Sequence, residues 1–95
     1  MSTDAIVSTE VTVGSKVGLH ARPAALVAQA AAELPTVVRI AKGDGDPVDA
    51  RSVLSILALG AEHGDTVELS AEGEDAEAAV ATLAKLIADD LDAEG

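Results

Sequence analysis

Ser52-Val53-Leu54-Ser55-Ile56-Leu57-Ala58-Leu59-Gly60 is the stretch on which the fold turns. From Ser52 to Leu59 it is apolar at nearly every position, so periodicity alone cannot separate a buried strand from a short helix. Its two ends decide. The Ser52 hydroxyl is suited to accept from an unpaired N–H of a first helical turn, and Gly60 suits the position that terminates a helix. A helix over 52–59 is therefore expected. Downstream, Asp65 to Ala71 alternates with Val67, Leu69 and Ala71 on one side, the pattern of a half-buried strand. A last helix follows from about Glu74 to Leu91, with acids in its first turn and Ala76, Val80, Leu83, Ile87 and Leu91 on one face.

Upstream, Thr36 to Lys42 and Pro47 to Ala50 read as two strands joined by the tight turn Gly43-Asp44-Gly45-Asp46. Before them lies an Ala-rich helix from Ala21 to Leu34, with Leu26, Val27, Ala30, Ala31 and Leu34 as its apolar stripe, ended by Pro35. Residues 5–13 alternate, with Val7, Thr9, Val11 and Val13 on one face, and Gly14 to Gly18 forms a loop. The order is β-α-β-β-α-β-α. One-faced strands with one-faced helices imply an α+β fold: a two-layer, open-faced β-sandwich whose four-stranded antiparallel sheet is covered on one face by three helices.

The chemistry concentrates in Gly18-Leu19-His20-Ala21-Arg22-Pro23-Ala24. Proline is favoured in a first helical turn, so Pro23 marks a helix start within a residue or so of Ala21. His20 then sits beside the unpaired N–H groups of that turn. Those donors and the helix dipole favour an anion, and the Arg22 guanidinium adds a charge that pairs with phosphate oxygens. The same field disfavours a charged imidazole, and the neutral ring is the nucleophilic form. Once a phosphoryl group is attached, the field favours the adduct. A histidine beside a helix start is more often a cap or a surface residue, but the charge distribution supports the functional reading. The chain has 17 acidic and 6 basic residues, yet no acid occurs from Val11 to Ala32, the window that holds Lys16, His20 and Arg22. A second acid-free window runs from Ala50 to Ala61 and includes Arg51. Together the two windows suggest one contact surface.

Composition bounds the rest. Ninety-five residues make one domain, 1–95, with residues 1–4 and 92–95 expected to fray. A net charge of −11 argues against nucleic acid and anionic membrane surfaces as partners, and the absence of Phe, Tyr and Trp removes platforms for base stacking. With no cysteine there are no disulfides or thiolate metal sites. His20 and His63 lack metal-ligand spacing, so no metal and no cofactor are expected. The Gly43 to Asp46 turn is not a phosphate loop, because no helix follows it and its acids repel phosphate. Met1 to Asp4 does not open a signal peptide, and no apolar run approaches the ~20 residues of a membrane span, so a cytoplasmic protein is expected.

Three segments together resemble the HPr family, the histidine-containing phosphocarriers of the phosphoenolpyruvate-dependent sugar phosphotransferase system. They are Gly18 to Ala24, Ala50 to Gly60, and Gly64-Asp65-Thr66-Val67-Glu68-Leu69 leading to Glu72-Gly73. The resemblance runs from about Val7 to Leu91, and its strength lies in the joint order and spacing of the three. It implies that His20 accepts a phosphoryl group on Nδ1 from phosphorylated enzyme I and passes it to enzyme IIA domains of sugar permeases. Arg22 would stabilise the phosphate, with Ala21, Pro23 and Ala24 forming its cradle. Ser52 matches a serine that a dedicated kinase phosphorylates in some lineages, and a plain helix cap explains it equally well. Val53, Leu54 and Leu57 would dock partners, against the simpler reading that they pack inward. Lysines that often flank the site on the first helix are absent, with Gln29 and Ala32 on its later turns. The implied protein is a monomeric carrier and not an independent catalyst. Two alternatives stay open: a regulatory module acting through phosphorylated Ser52, and a carrier serving nitrogen control or a dihydroxyacetone kinase.

Overall fold

Ser52 caps a helix. In the computed structural model, which describes residues 6–89, its Oγ accepts from the Ser55 N–H at 3.2 Å, and Gly60 follows the last turn with φ +65°. The helix itself spans Val53–Ala58 and is labelled α2. The other elements are β1 (Ile6–Thr12), α1 (Ala21–Ala32), β2 (Arg39–Lys42), β3 (Val48–Asp49), β4 (Thr66–Glu72) and α3 (Ala76–Ala88). The terminal residues expected to fray, and Leu91 at the expected end of the last helix, lie outside the described residues.

The strands form one antiparallel sheet in the order β1-β4-β2-β3. β4 is central. Val11 pairs with Val67, Thr9 with Leu69 and Val7 with Ala71 on one side of it, and Ile40 meets Leu69 on the other. Because strand side chains alternate, Val67, Leu69, Ala71 and Ile40 share the inward face, and all are buried. The three helices supply the other half of the core. α3 packs on β1 and β4 and contributes Ala76, Ala79, Val80, Leu83 and Ile87. α1 packs on α2 and α3, and α2 anchors itself through fully buried Ile56. Burying such a side chain contributes about 1.5–3 kcal/mol. Among the described residues, no helix is long and apolar enough to cross a membrane.

Several element boundaries differ from expectation. The second strand starts at Arg39 and not at Thr36: Val38 accepts one cross-strand bond, from the Ala50 N–H at 2.9 Å, and the Thr36 hydroxyl donates to the Glu72 carbonyl at 3.1 Å. The third strand is only Val48–Asp49: Pro47 has no N–H to pair, and beyond Ala50, whose N–H still bonds Val38 O across the pair at 2.9 Å, the Ser52 N–H closes a turn onto Asp49 O at 3.1 Å. The first helix stops at Ala32, with Glu33 as C-cap, as Pro35 bars the residue before it from helical geometry. Its buried face is also rotated from the expected stripe. Pro23, Ala24, Val27, Ala28 and Ala31 are buried, whereas Leu26, Ala30 and Leu34 are half-buried at its flanks. Small residues at the centre let this helix approach closely, and the leucines fill the margins.

Candidate functional site

The loop before α1 is held by backbone hydrogen bonds from two directions. Val13 donates to Asp65 O at 2.8 Å and accepts from Gly64 N at 3.0 Å, and Gly14 donates to Ile87 O at 3.0 Å. Gly18 donates to Ser15 O at 2.9 Å, closing a turn, and adopts φ +75°. There the backbone lies directly against a second loop: a Cβ on Gly18 would stand 2.6 Å from Ala61 O and 2.8 Å from Glu62 Cα. Only glycine meets both demands. Leu19, buried in the core, donates to Ala61 O at 2.9 Å. The chain is thereby pinned on both sides just before it delivers His20.

His20 is the N-cap residue of α1, with extended backbone (φ −86°, ψ −165°). Its carbonyl accepts from the Ala24 N–H at 2.8 Å, while its side chain makes no capping hydrogen bond. The imidazole is thus left exposed at the positive end of the helix. No acid occupies the first turn to offset that field. Arg22 is exposed, and no described residue pairs with its guanidinium.

The backbone narrows the donor set expected from sequence. Pro23 has no N–H and is buried in the core, and the N–H of buried Ala24 is taken by His20 O. Neither is available to a phosphate. The N–H groups of Ala21 and Arg22, first in the helix and with no carbonyl four residues back inside it, are the donors that remain.

The structure adds one acid beside the histidine. Glu62 Oε1 lies 3.6 Å from His20 Nε2, although the two residues are far apart in sequence. Its loop is well supported. The Glu62 N–H donates to the Asp65 carboxylate at 2.9 Å, Asp65 pairs with Lys42 at 3.3 Å, and Lys42 Nζ donates to Gly60 O at 3.1 Å. The Glu62 N–H above all, and then Lys42, hold the Asp65 carboxyl below its ordinary range. No sequence neighbour of His20 is acidic, so local sequence does not point to this contact. The usable signal was that Glu62 ends the second acid-free window: if the two windows meet in space, the acid at the border reaches the histidine.

They do meet. α1 packs on α2, and the Gly18–Leu19 backbone lies against Ala61. On α2, Leu54 is 79% exposed and Leu57 38%, whereas Val53 is half-buried against the core. Leu54 and Leu57 therefore form an apolar surface that the fold leaves open, and Val53 belongs partly to the interior. Just before the cap, Arg51 makes a two-pronged bond to Asp49, with Nη2 to Oδ2 at 2.7 Å and Nε to Oδ1 at 3.0 Å. Those side-chain bonds hold the Asp49 carboxyl down at about 2.

Comparison with known proteins places the chain in a family. A family model described as the PTS HPr component phosphorylation site matches residues 7–89, the span of nearly every described element. The chain belongs to the HPr family of phosphocarriers. The phosphocarrier protein HPr of Streptomyces coelicolor is 49% identical over 82 residues, which covers 86% of this chain and 88% of that protein. The HPr of Haloferax volcanii is 41% identical over 78 residues, covering 81% and 88% respectively. A crystal structure of HPr from Bacillus anthracis matches with a TM-score of 0.81 at 40% identity, over 87% of this chain and 98% of that one. The HPr fold is the open-faced, four-stranded sandwich with three helices described above.

Proposed function

We propose that His20 is the phosphoryl acceptor of this phosphotransferase-system carrier, with Nδ1 as the accepting atom. The observation that carries the reading is an exposed N-cap histidine whose side chain makes no capping bond, at the helix start that also carries Arg22 and the first N–H groups of α1. In the transfer, the Nδ1 lone pair forms the N–P bond as the donor's bond to phosphorus breaks and its electron pair leaves with the donor. The second transfer reverses this, returning the electron pair to Nδ1. Arg22 and the N–H groups of Ala21 and Arg22 neutralise charge on the phosphoryl oxygens, which is most effective where a docked partner excludes water.

The donor is enzyme I, charged from phosphoenolpyruvate, and the acceptors are enzyme IIA domains; both meet the carrier in the cytoplasm. The exposed Leu54 and Leu57 on α2 suit short-lived docking, because a carrier must leave its donor before meeting its acceptor. The carrier turns over no substrate alone. At Ser52, the hydroxyl caps α2 by accepting from the Ser55 N–H at 3.2 Å, and a phosphate there would meet the same helix start.

The test is intact-mass analysis after incubation with phosphoenolpyruvate and a catalytic amount of a cognate enzyme I. The expected result is one added, acid-labile phosphate, absent in His20→Ala and gained more slowly in Arg22→Ala. A folded His20→Ala protein that still takes up the phosphate would refute the assignment.

A further inference from the structure

We propose that Glu62 is a positioning residue for His20: its carboxylate faces Nε2, retains the ring proton there and so leaves the Nδ1 lone pair free for phosphoryl transfer. The inference rests on His20 being the acceptor. Its own basis is the contact between Glu62 Oε1 and His20 Nε2 at 3.6 Å, together with the way the two loops are locked to each other. At that distance the pair is a charge contact and not a hydrogen bond. A carboxylate can only attract a proton or a cation, so the nitrogen it faces is the one that keeps the hydrogen in a neutral imidazole.

The location of Glu62 is imposed by the fold. Gly18 lies too close to Ala61 and Glu62 for any side chain, Leu19 bonds Ala61 O, and Glu62 N is tied to Asp65, which Lys42 holds in turn. The carboxylate thus starts from a fixed Cα, set against the same loop that carries the histidine.

The same contact serves the transfer step. When the Nδ1 lone pair forms the N–P bond, the ring keeps its Nε2 hydrogen and becomes cationic; no proton has to leave. Glu62 offsets that cation from the Nε2 edge, while Arg22 and the helix N-terminus offset the phosphoryl oxygens from the other. Both side chains are more than half exposed, 62% for His20 and 64% for Glu62, so the effect is modest and sensitive to salt.

The experiment uses the full chain and its Glu62→Ala and Glu62→Gln variants, each checked for fold by circular dichroism. Long-range ¹H–¹⁵N correlation spectra of the His20 ring, recorded at low ionic strength with the ring neutral, report the ratio of its two tautomers. The expected ratio of Nε2–H to Nδ1–H falls about two- to fivefold in Glu62→Ala, the range of an exposed charge pair, and less in Glu62→Gln, whose amide oxygen still accepts. Raising the salt to ~1 M removes most of the difference. All three proteins still gain one phosphate from phosphoenolpyruvate and enzyme I. An unchanged tautomer ratio in Glu62→Ala at low salt, with phosphate still gained on His20, overturns the role of Glu62 alone. A phosphoryl group found on Nε2, or on no atom of His20, overturns the reading beneath it.

Discussion

Replacing Gly18 by alanine tests the claim that the histidine loop and the Glu62 loop form one rigid unit. Two penalties add. The residue sits at φ +75°, where an L side chain costs about 1–2 kcal/mol. The new Cβ would also stand 2.6 Å from Ala61 O and 2.8 Å from Glu62 Cα, and both are backbone atoms that cannot swing aside. Separating the loops stretches the Leu19 N–H bond to Ala61 O, now 2.9 Å, which costs roughly a further 1–2 kcal/mol because Leu19 is buried in the core. The sum is about 2–4 kcal/mol. For a domain of this size that lowers Tm by roughly 10–25 °C. Gly60→Ala is the control, since Gly60 has φ +65° but nothing within 4 Å of its would-be Cβ, leaving only the conformational term. With no aromatic residue in the chain, unfolding by urea or heat is followed by far-ultraviolet circular dichroism. If Gly18→Ala loses no more stability than Gly60→Ala, the loops are not locked as described, and the placement of Glu62 beside His20 loses its structural basis.

The two faces of α2 separate stability from docking. Ile56→Ala should lose about 2–5 kcal/mol in urea unfolding, because the side chain is fully buried, whereas Leu54→Ser, at 79% exposure, should stay within ~0.5 kcal/mol of the parent. Leu54→Ser should instead slow phosphoryl exchange with enzyme I, measured by the rate of mass gain at limiting enzyme. Ser52→Ala should lose about 1 kcal/mol with the cap bond to Ser55, while Ser52→Asp, which retains a capping oxygen, should keep most of that stability. Equal loss in both variants would show that the cap bond is not what Ser52 contributes.

The readings that agreed with the structure rest on short-range interactions. Ser52 and Gly60 announce α2 because a cap and a terminator act within one turn of the residue that supplies them. The alternation of Val67, Leu69 and Ala71 sufficed for β4, as every second side chain of a strand meets the same neighbour layer. Pro23 located the start of α1 by its own ring geometry. Its buried stripe was harder to read, since a helix whose core face is mostly alanine has little hydrophobic contrast between one side and the next.

The amino-acid sequence by itself determined the element order, the α2 cap, the fold class and the histidine–arginine pair at a helix start, because each is encoded by neighbours along the chain. Only the tertiary structure decided that β4 lies at the centre of the sheet and that the two acid-free windows adjoin. It also showed that the Ala24 N–H is already used within the helix, and that Glu62 stands 3.6 Å from His20. Those facts depend on which loops pack together, and that is settled by the burial of Leu19 and Ile56 and by the close approach at Gly18.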